Sequence, residues 1–161
     1  MVREKGFSLI ELLIVVAIIL IIAAIAIPNL IRSRMAANEA SAVSSIRSIT
    51  TAEHAYTVTY PEIGYTCTMS ELGPPSSGQP PTSTAADILD PVLSTGTKQG
   101  YSFSITGCNA GTPKVQYQSS GVPLTIGSSG QRAFCSDASG IIQFSDDGVA
   151  ATCIAGKRVL Q

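Results

Sequence analysis

The chain has 161 residues, of which 45% are hydrophobic, and its ten Lys and Arg against eleven Asp and Glu give a formal net charge of −1. A balance so close to neutral gives no strong nucleic-acid signal, because nucleic-acid-binding proteins normally carry a basic patch. Much of the apolar content lies at the N-terminus, and the ~130 residues after it suffice for one modest globular domain rather than two.

The most apolar part of the chain is the segment 7–27, in which Glu11 precedes an unbroken apolar run from Leu12 to Ile27. As a helix this segment has a length of about 31 Å, which matches the roughly 30 Å hydrocarbon core of a bilayer. It therefore predicts a transmembrane helix. A cleaved secretory signal is the alternative, since Ala24 and Ala26 resemble the small residues of such a cleavage site, but the apolar run is long for one.

Glu11 is the one charged residue in this segment. A charge at the centre of a transmembrane helix costs roughly 2.5–3.5 kcal/mol on insertion scales. An ionisable residue inside a membrane is therefore a functional hypothesis whose partner has to be named. Because residues 7–27 contain no basic side chain, we expect that partner to be a backbone amine or a group on another molecule.

The residues around Glu11 form a longer motif. A short basic leader is followed by a glycine, an aromatic residue, a glutamate four positions later and a proline that closes the apolar run. This pattern closely resembles the prepilin N-terminus of type IV pilins and type II secretion pseudopilins. The residues that carry the resemblance are Gly6, Phe7, Glu11 and Pro28.

The resemblance implies a processing and assembly pathway. Residues 1–6 are the expected leader peptide, which a prepilin peptidase removes after Gly6 before methylating the new N-terminal Phe7. Glu11 is then expected to pair with the N-terminal amine of a neighbouring subunit, since an α-amino group with a usual pKa of about 7.7–8.0 is largely cationic at neutral pH. Pairing of Glu11 with its own Phe7 amine, on the same face of the helix, remains open.

Basic residues flank both ends of the segment and do not settle its orientation. The cysteines all follow the segment, and an even set without C-x-x-C spacing suits disulfides in an oxidising compartment. We therefore expect a single-pass protein of the bacterial inner membrane with a cytoplasmic N-terminus, which later becomes part of a cell-surface pilus. The four cysteines are Cys67, Cys108, Cys135 and Cys153.

Four cysteines allow three pairings. We expect Cys135 to pair with Cys153, which resembles the disulfide-bounded C-terminal region of many pilins, and Cys67 to pair with Cys108. The spacings lack the close ligand pairs of structural zinc sites, so no metal site is expected. Free thiols are the remaining alternative.

Residues 28–60 continue as an amphipathic helix that ends before Pro61. Proline inside a helix removes a hydrogen bond, so Pro28 predicts a kink, with a complete helix end as the alternative. Charged residues fall largely between the apolar positions and are expected on the polar face: Arg32, Arg34, Glu39, Arg47 and Glu53. The apolar positions recur mostly at three-, four- and seven-residue steps: Ile31, Met35, Ala42, Ile46, Ile49, Ala52 and Tyr56.

Residues 61–161 form the expected globular head. A Pro-, Gly- and Ser-rich loop at 73–84 connects the helix to a region with strand signals. We expect strands at 101–105, 115–118, 134–135 and 141–144. The predicted fold is α+β and pilin-like. A long N-terminal transmembrane-plus-amphipathic helix (7–27 and 28–60) packs on a roughly four-stranded antiparallel sheet.

No catalytic chemistry is evident in the sequence. The single histidine, His54, lies on the helix without a nucleophile nearby, and no phosphate-binding, zinc-protease or serine-hydrolase motif occurs. We therefore predict neither an enzyme nor a cofactor. Asp137, Asp146 and Asp147 invite comparison with the calcium sites of some secretion pseudopilins, but EF-hand spacing is absent and turn chemistry explains these residues.

The expected function is that of a structural subunit, a type IV pilin and more specifically a major one, since Glu11 is present. Its expected partners are copies of itself in a helical filament, a prepilin peptidase and methylase, an inner-membrane assembly platform and an assembly ATPase. The alternative is a type II secretion pseudopilin. A minor tip subunit, a membrane-tethered module for DNA uptake or binding, and a periplasmic enzyme are more remote alternatives, and a role in adhesion or motility is left open.

Overall fold

The computed structural model describes residues 6–156 and 158–160, so the predicted leader, apart from Gly6, lies outside the described residues. The chain divides into two compact units, Met1–Arg34 and Met35–Gln161, and each is described by itself. The helices are α1 (Leu9–Thr59), α2 (Met69–Leu72), α3 (Pro91–Ser94) and α4 (Ala150–Gly156). The strands are β1 (Thr97–Lys98), β2 (Tyr101–Thr106), β3 (Gln118–Pro123), β4 (Ala133–Asp137) and β5 (Gln143–Ser145).

The first unit consists, in its described part, of three residues without regular secondary structure and the first part of α1. None of residues 6–34 is buried within the chain, although most of them are large and apolar. The helix is long and apolar enough to cross a membrane. It passes through Pro28 without ending, so the alternative in which Pro28 terminates the helix is wrong.

The second unit is built on a five-stranded antiparallel sheet in which each strand pairs with the next one along the chain. This confirms the α+β class. The sequence predicted roughly four strands, and the fifth, β1, has only two residues and no apolar alternation. The predicted strand at 115–118 was misplaced, because Val115 and Gln116 are exposed and β3 begins at Gln118.

The core of the second unit lies between α1 and the sheet. Ile46, Ile49 and Tyr56 follow one another at three- and seven-residue steps, so they lie on one side of the helix, and all three are buried. They belong to the same apolar cluster as Tyr101 and Phe134 on the facing side of the sheet. Burying each of these side chains contributes roughly 1.5–3 kcal/mol.

One glycine allows the helix and the sheet to approach each other. A Cβ atom at Gly121 on β3 would lie 2.7 Å from Cε1 of Phe103 and 3.6 Å from Cδ1 of Ile46. The first distance is shorter than any normal contact, so any larger residue at Gly121 displaces the Phe103 ring from the core. Because Gly121 has no side chain, Phe103 of β2 and Ile46 of α1 occupy the space next to β3.

The opposite side of the sheet is covered by α4. Cys153 on α4 is buried against Ala133 and Cys135 of β4 and forms a disulfide with Cys135. A second disulfide joins Cys67, shortly after α1, to Cys108, shortly after β2. These are the two pairs expected from the sequence. The first disulfide joins α4 to β4, and the second joins the segment after α1 to the segment after β2.

Removing either disulfide is expected to destabilise the second unit. In the chain-entropy model, replacing Cys135 and Cys153 by alanine costs roughly 3 kcal/mol, and replacing Cys67 and Cys108, which close a longer loop, costs about 4 kcal/mol. Urea unfolding of the purified chain in detergent, followed by circular dichroism, measures both losses. A loss below about 1 kcal/mol for either double variant would contradict the role given to that disulfide.

Candidate assembly site

Glu11 lies in the first turn of α1 and binds the backbone there. The helix begins at Leu9, and the backbone N–H of Ser8 donates to Oε2 of Glu11 at 2.9 Å. The carbonyl of Ser8 accepts the N–H of Leu12 at 3.3 Å. Ser8 is thus the N-cap residue, and Glu11 fills the position three residues on that reaches back to the cap N–H in a capping box.

This capping role was not recognised in the sequence, although its signature is local. The tetrapeptide from Ser8 to Glu11 has the S-x-x-E pattern that precedes an apolar helix. One carboxylate oxygen of Glu11 is engaged by Ser8. Because a carboxylate accepts several hydrogen bonds, Glu11 retains capacity for a further donor at the helix N-terminus, where the helix dipole already favours a negative charge.

The residues before Ser8 are accessible. Gly6 and Phe7 precede the helix and are exposed, with Phe7 79% exposed. A Cβ atom at Gly6 would have no neighbour within 4 Å. The bond between Gly6 and Phe7 is therefore not shielded by the described part of the chain. The Phe7 nitrogen lies one residue from the N–H that Glu11 accepts, so an amine formed there would be close to the carboxylate.

Pro28 lies within α1 in an exposed stretch of the helix. The residue after it supplies a side-chain hydrogen bond to the preceding turn, since Nδ2 of Asn29 donates to the carbonyl of Ile25 at 3.2 Å. Proline has no N–H to donate to the carbonyl four residues earlier, that of Ala24, and the Asn29 contact lies one residue further along. The helix continues on both sides of the proline.

The aspartates and the histidine that were considered in the sequence have ordinary local partners. Asp137 accepts the N–H and the hydroxyl of Ser139, and Asp147 accepts the N–H of Val149. Asp146 is paired with Arg158. His54 is exposed and lies with its Nδ1 atom 3.5 Å from the hydroxyl of Tyr65. Among the described residues no group of three His, Cys, Asp or Glu side chains is arranged to hold a metal ion.

Residues 1–27 match the family described as "Prokaryotic N-terminal methylation motif". The N-terminal segment carries this motif. Two curated proteins are each similar to a part of the chain. The "Type IV major pilin protein PilA" of Myxococcus xanthus is 46% identical over 54 residues, which are 34% of this chain and 24% of that protein. The "Type IV wide pilus major component PilA4" of Thermus thermophilus is 62% identical over 37 residues, which are 23% of this chain and 28% of that protein.

The similarity to these two proteins is short. The matched part of the chain spans about a quarter of the length of these two relatives, and no solved structure matches the chain. The chain is thus similar to two proteins of type IV pili over stretches of 54 and 37 residues.

C-terminal to the methylation motif, α1 carries two further glutamates, and both are buried. They were expected on the polar face of the helix, which was wrong. Glu39 accepts the backbone N–H groups of Gln131 at 3.0 Å and Arg132 at 3.2 Å through Oε1. Its Oε2 accepts from the guanidinium of Arg132, with Nε at 2.8 Å and Nη2 at 2.7 Å.

The four donors around Glu39 decide its charge state. Burial raises the pKa of a carboxyl group, but the backbone donors of Gln131 and Arg132 and the Arg132 guanidinium outweigh this effect and hold the pKa of Glu39 below its usual value. The guanidinium also lies over the rings of Phe134 at 5.4 Å and Phe144 at 5.6 Å. Glu39 thus joins α1 to the segment that enters β4 as an ionised carboxylate.

Glu53 is in the opposite situation. It is 0% exposed and has two hydrogen-bond partners, both on Thr66: the backbone N at 2.9 Å and Oγ1 at 2.7 Å. Burial raises the pKa of Glu53 to about 7, and the negative charge of Glu71 raises it further. The Thr66 donors and the positive charge of Lys114 lower the pKa but do not outweigh burial. The two buried glutamates of one helix therefore differ in charge near neutral pH.

Replacement of Glu39 by glutamine should weaken the attachment of α1 to β4. The amide cannot accept from all four donors and does not balance the guanidinium charge, so we expect a loss of about 1–3 kcal/mol in unfolding free energy at pH 7. The Arg132 side chain is partly exposed, and water weakens its interaction with Glu39, so the expected loss is smaller than for a fully buried ion pair. Because the pKa of Glu39 is lowered, the loss should be present above about pH 4.5 and should shrink as the pH falls through the folded pKa.

Urea unfolding of the wild-type chain and the Glu39→Gln variant at pH 7 and pH 3 measures this difference. Glu62→Gln removes an exposed acid from the same unit and serves as the matched control, with an expected change within about 0.5 kcal/mol. Equal stability of the Glu39 and Glu62 variants would show that the Glu39 contacts contribute nothing.

Proposed function

We propose that this chain is a structural subunit of a type IV pilus, and specifically a major pilin. The observation that carries the proposal is the combination of an N-terminal methylation motif with an apolar helix of which no described residue before Met35 is buried. Such a surface requires a non-aqueous environment. The two relatives are a major pilin and a major pilus component, which favours the pilus over the secretion pseudopilus.

Two environments cover this apolar surface in turn. Before assembly the segment 7–27 lies across the inner membrane, where its length of about 31 Å matches the hydrocarbon core. After assembly the same residues pack against the corresponding helices of neighbouring copies in a helical filament. The exchange replaces lipid contacts by protein contacts of similar polarity, so the apolar run alone does not drive it.

Glu11 supplies the specificity that the apolar run lacks. Under the proposed processing, cleavage after Gly6 turns the Phe7 nitrogen into an amine, and methylation keeps that amine cationic. The capping bond from Ser8 occupies only part of the carboxylate, so Glu11 is able to accept the amine of a neighbouring subunit. The negative charge is thereby neutralised in a site where water is excluded and an ion pair is worth more than in solution.

Orientation and partners follow from the same proposal. Two disulfides lie in the second unit, which suits a head outside the cytoplasm, so the N-terminus is cytoplasmic and is processed there by a prepilin peptidase and methylase. An inner-membrane platform and an assembly ATPase supply the energy of assembly. In this proposal the chain itself acts structurally rather than enzymatically.

Glu11→Gln tests the proposed ion pair. Glutamine keeps a carbonyl acceptor for the Ser8 N–H, so the helix cap is retained while the charge is lost. We expect normal cleavage after Gly6 and a normal amount of protein in the membrane, but at least a tenfold reduction in surface filaments. Immunoblots of membranes and of sheared fibres, with electron microscopy, measure these quantities.

Glu62→Gln is the control for Glu11→Gln, because Glu62 is an exposed acid of the second unit. It should leave the amount of filaments unchanged. Normal filaments from Glu11→Gln would refute the ion pair. If filaments are lost in Glu11→Ala but retained in Glu11→Gln, the cap rather than the charge is what assembly requires.

Gly6→Val tests the proposed cleavage. A side chain at position 6 meets no atom of the described chain, so loss of processing would report on recognition by the peptidase and not on folding. Intact mass spectrometry should show a chain that retains residues 1–6, where the wild type begins at a methylated Phe7. Gly156→Ala, at a second glycine with open space around it, should be processed normally. A mature N-terminus at Phe7 in Gly6→Val would contradict the assignment of Gly6.

A further inference from the structure

Thr66 lies between two acceptors that compete for its one hydroxyl proton. Its Oγ1 atom is 2.7 Å from Oε1 of Glu53 and 3.2 Å from the carbonyl oxygen of Thr68. Thr66 and Glu53 are both 0% exposed, so water does not reach the hydrogen bond between them, whereas Thr68 is exposed. A hydroxyl donates one hydrogen bond only. Which acceptor receives it depends on whether Glu53 carries a proton.

With Glu53 ionised, the hydroxyl of Thr66 donates to the carboxylate, because charge-assisted hydrogen bonds are shorter and stronger than neutral ones. The Thr68 carbonyl is then without this donor. With Glu53 protonated, Oε1–H donates to Oγ1 of Thr66, and the Thr66 hydroxyl is free to donate to the Thr68 carbonyl. The backbone N–H of Thr66 donates to Oε2 of Glu53 in both states.

We propose that Glu53, Thr66 and the Thr68 carbonyl form a proton-operated hydrogen-bond switch at the start of α2. One proton taken from solvent binds Oε1 of Glu53, the Thr66 hydroxyl rotates, and its hydrogen bond moves from the carboxylate to the Thr68 carbonyl. No covalent bond of the chain other than the new O–H bond is formed or broken. The switch does not depend on the proposed filament function.

The acceptor that gains or loses the Thr66 hydrogen bond lies at the N-cap residue directly before a packed helix. Thr68 is the N-cap residue of α2, and its carbonyl also accepts the N–H of Glu71 at 3.3 Å. Leu72 of α2 is fully buried in the core. Thr66 is followed by Cys67, whose disulfide to Cys108 restrains the same segment. A change at the Thr68 carbonyl therefore acts on the short stretch that joins α1 to α2.

The groups that face Glu53 place the switch near neutral pH. Burial raises the pKa of Glu53 to about 7, and the negative charge of Glu71 on α2 adds to this effect. Lys114, in the segment before β3, acts in the opposite direction. Tyr56 and Tyr117 also face the carboxyl group, and their own pKa values are raised to about 12 by burial, so they stay neutral over the range in which Glu53 titrates.

The sign of the effect on stability follows from the raised pKa. Well below pH 4.5, the usual pKa of a glutamate, Glu53 is protonated in the folded and the unfolded chain, and its full contribution to stability is present. As the pH rises towards 7, the unfolded chain loses the proton first, so the contribution is lost. We expect the unfolding equilibrium constant to rise up to about tenfold per pH unit over this range.

Nuclear magnetic resonance of the full chain in detergent micelles tests the switch directly. The side-chain carboxyl carbon of Glu53, the carbonyl carbon of Thr68 and the amide of Glu71 should titrate with one common midpoint near pH 7. Glu53→Gln, whose amide donates to Thr66 as the protonated acid does, should hold the Thr68 and Glu71 signals at their low-pH positions at every pH. It should also remove the pH dependence of unfolding between pH 5 and 7.

Two substitutions of Thr66 separate the hydroxyl from the rest of the side chain. Thr66→Ser keeps the hydroxyl and should retain the response of Thr68, whereas Thr66→Val removes it and should abolish that response while Glu53 still titrates. Glu62→Gln should leave all three midpoints unchanged. The switch is refuted if Glu53 titrates without a change at Thr68, or if Glu53→Gln still shows the wild-type titration of Thr68. The Glu53→Gln and Thr66→Ser results decide even if Thr66→Val fails to fold.

Discussion

The apolar surface of the first part of α1 is the constraint on which the rest of this molecule depends. Residues 12–27 find no cover within the chain. At roughly 1.5–3 kcal/mol for each large aliphatic side chain, their exposure to water costs of the order of 20 kcal/mol or more. That exceeds the 5–15 kcal/mol that typically separates a folded domain from its unfolded state. Whatever covers this helix therefore determines where the protein resides, largely independently of the stability of the second unit.

The features that the sequence predicted well are those encoded by local repetition. Three patterns each predict a helix or strand from residues of that element alone. They are the apolar run, the three- and seven-residue spacing of Ile46, Ile49 and Tyr56, and the alternation in β2. β3 does not, because its core-facing residues include Ser119 and Gly121, which are small and polar or lack a side chain. Its place as a strand comes from β2 and β4 on either side, and that information lies elsewhere in the chain.

The buried glutamates were unpredictable for a related reason. Glu39 and Glu53 occupy helix positions that periodicity assigns to the polar face, and a charged residue is rarely buried unless it is paired. Glu39 becomes buried because its donors on Gln131 and Arg132 lie more than ninety positions later in the chain. The capping contact of Glu11 was readable, by contrast, since Ser8 is only three residues away. A side-chain contact is predictable from the sequence when its partner lies a few residues away, and is much harder to predict when the partner lies far along the chain.

The three carboxylates of α1 differ in how many donors meet them, and for the two buried ones, Glu39 and Glu53, this number decides the charge. Glu39 has four donors, including a guanidinium, and stays ionised despite burial. Glu53 has two donors from one residue and no direct cation, so desolvation prevails and the neutral acid is stable up to about pH 7. Glu11 has the Ser8 N–H alone among the described residues. By the same reasoning it is the carboxylate most in need of a cation on entering an apolar environment. Under the proposed processing that cation exists only after cleavage, which makes removal of the leader an electrostatic precondition for the proposed assembly.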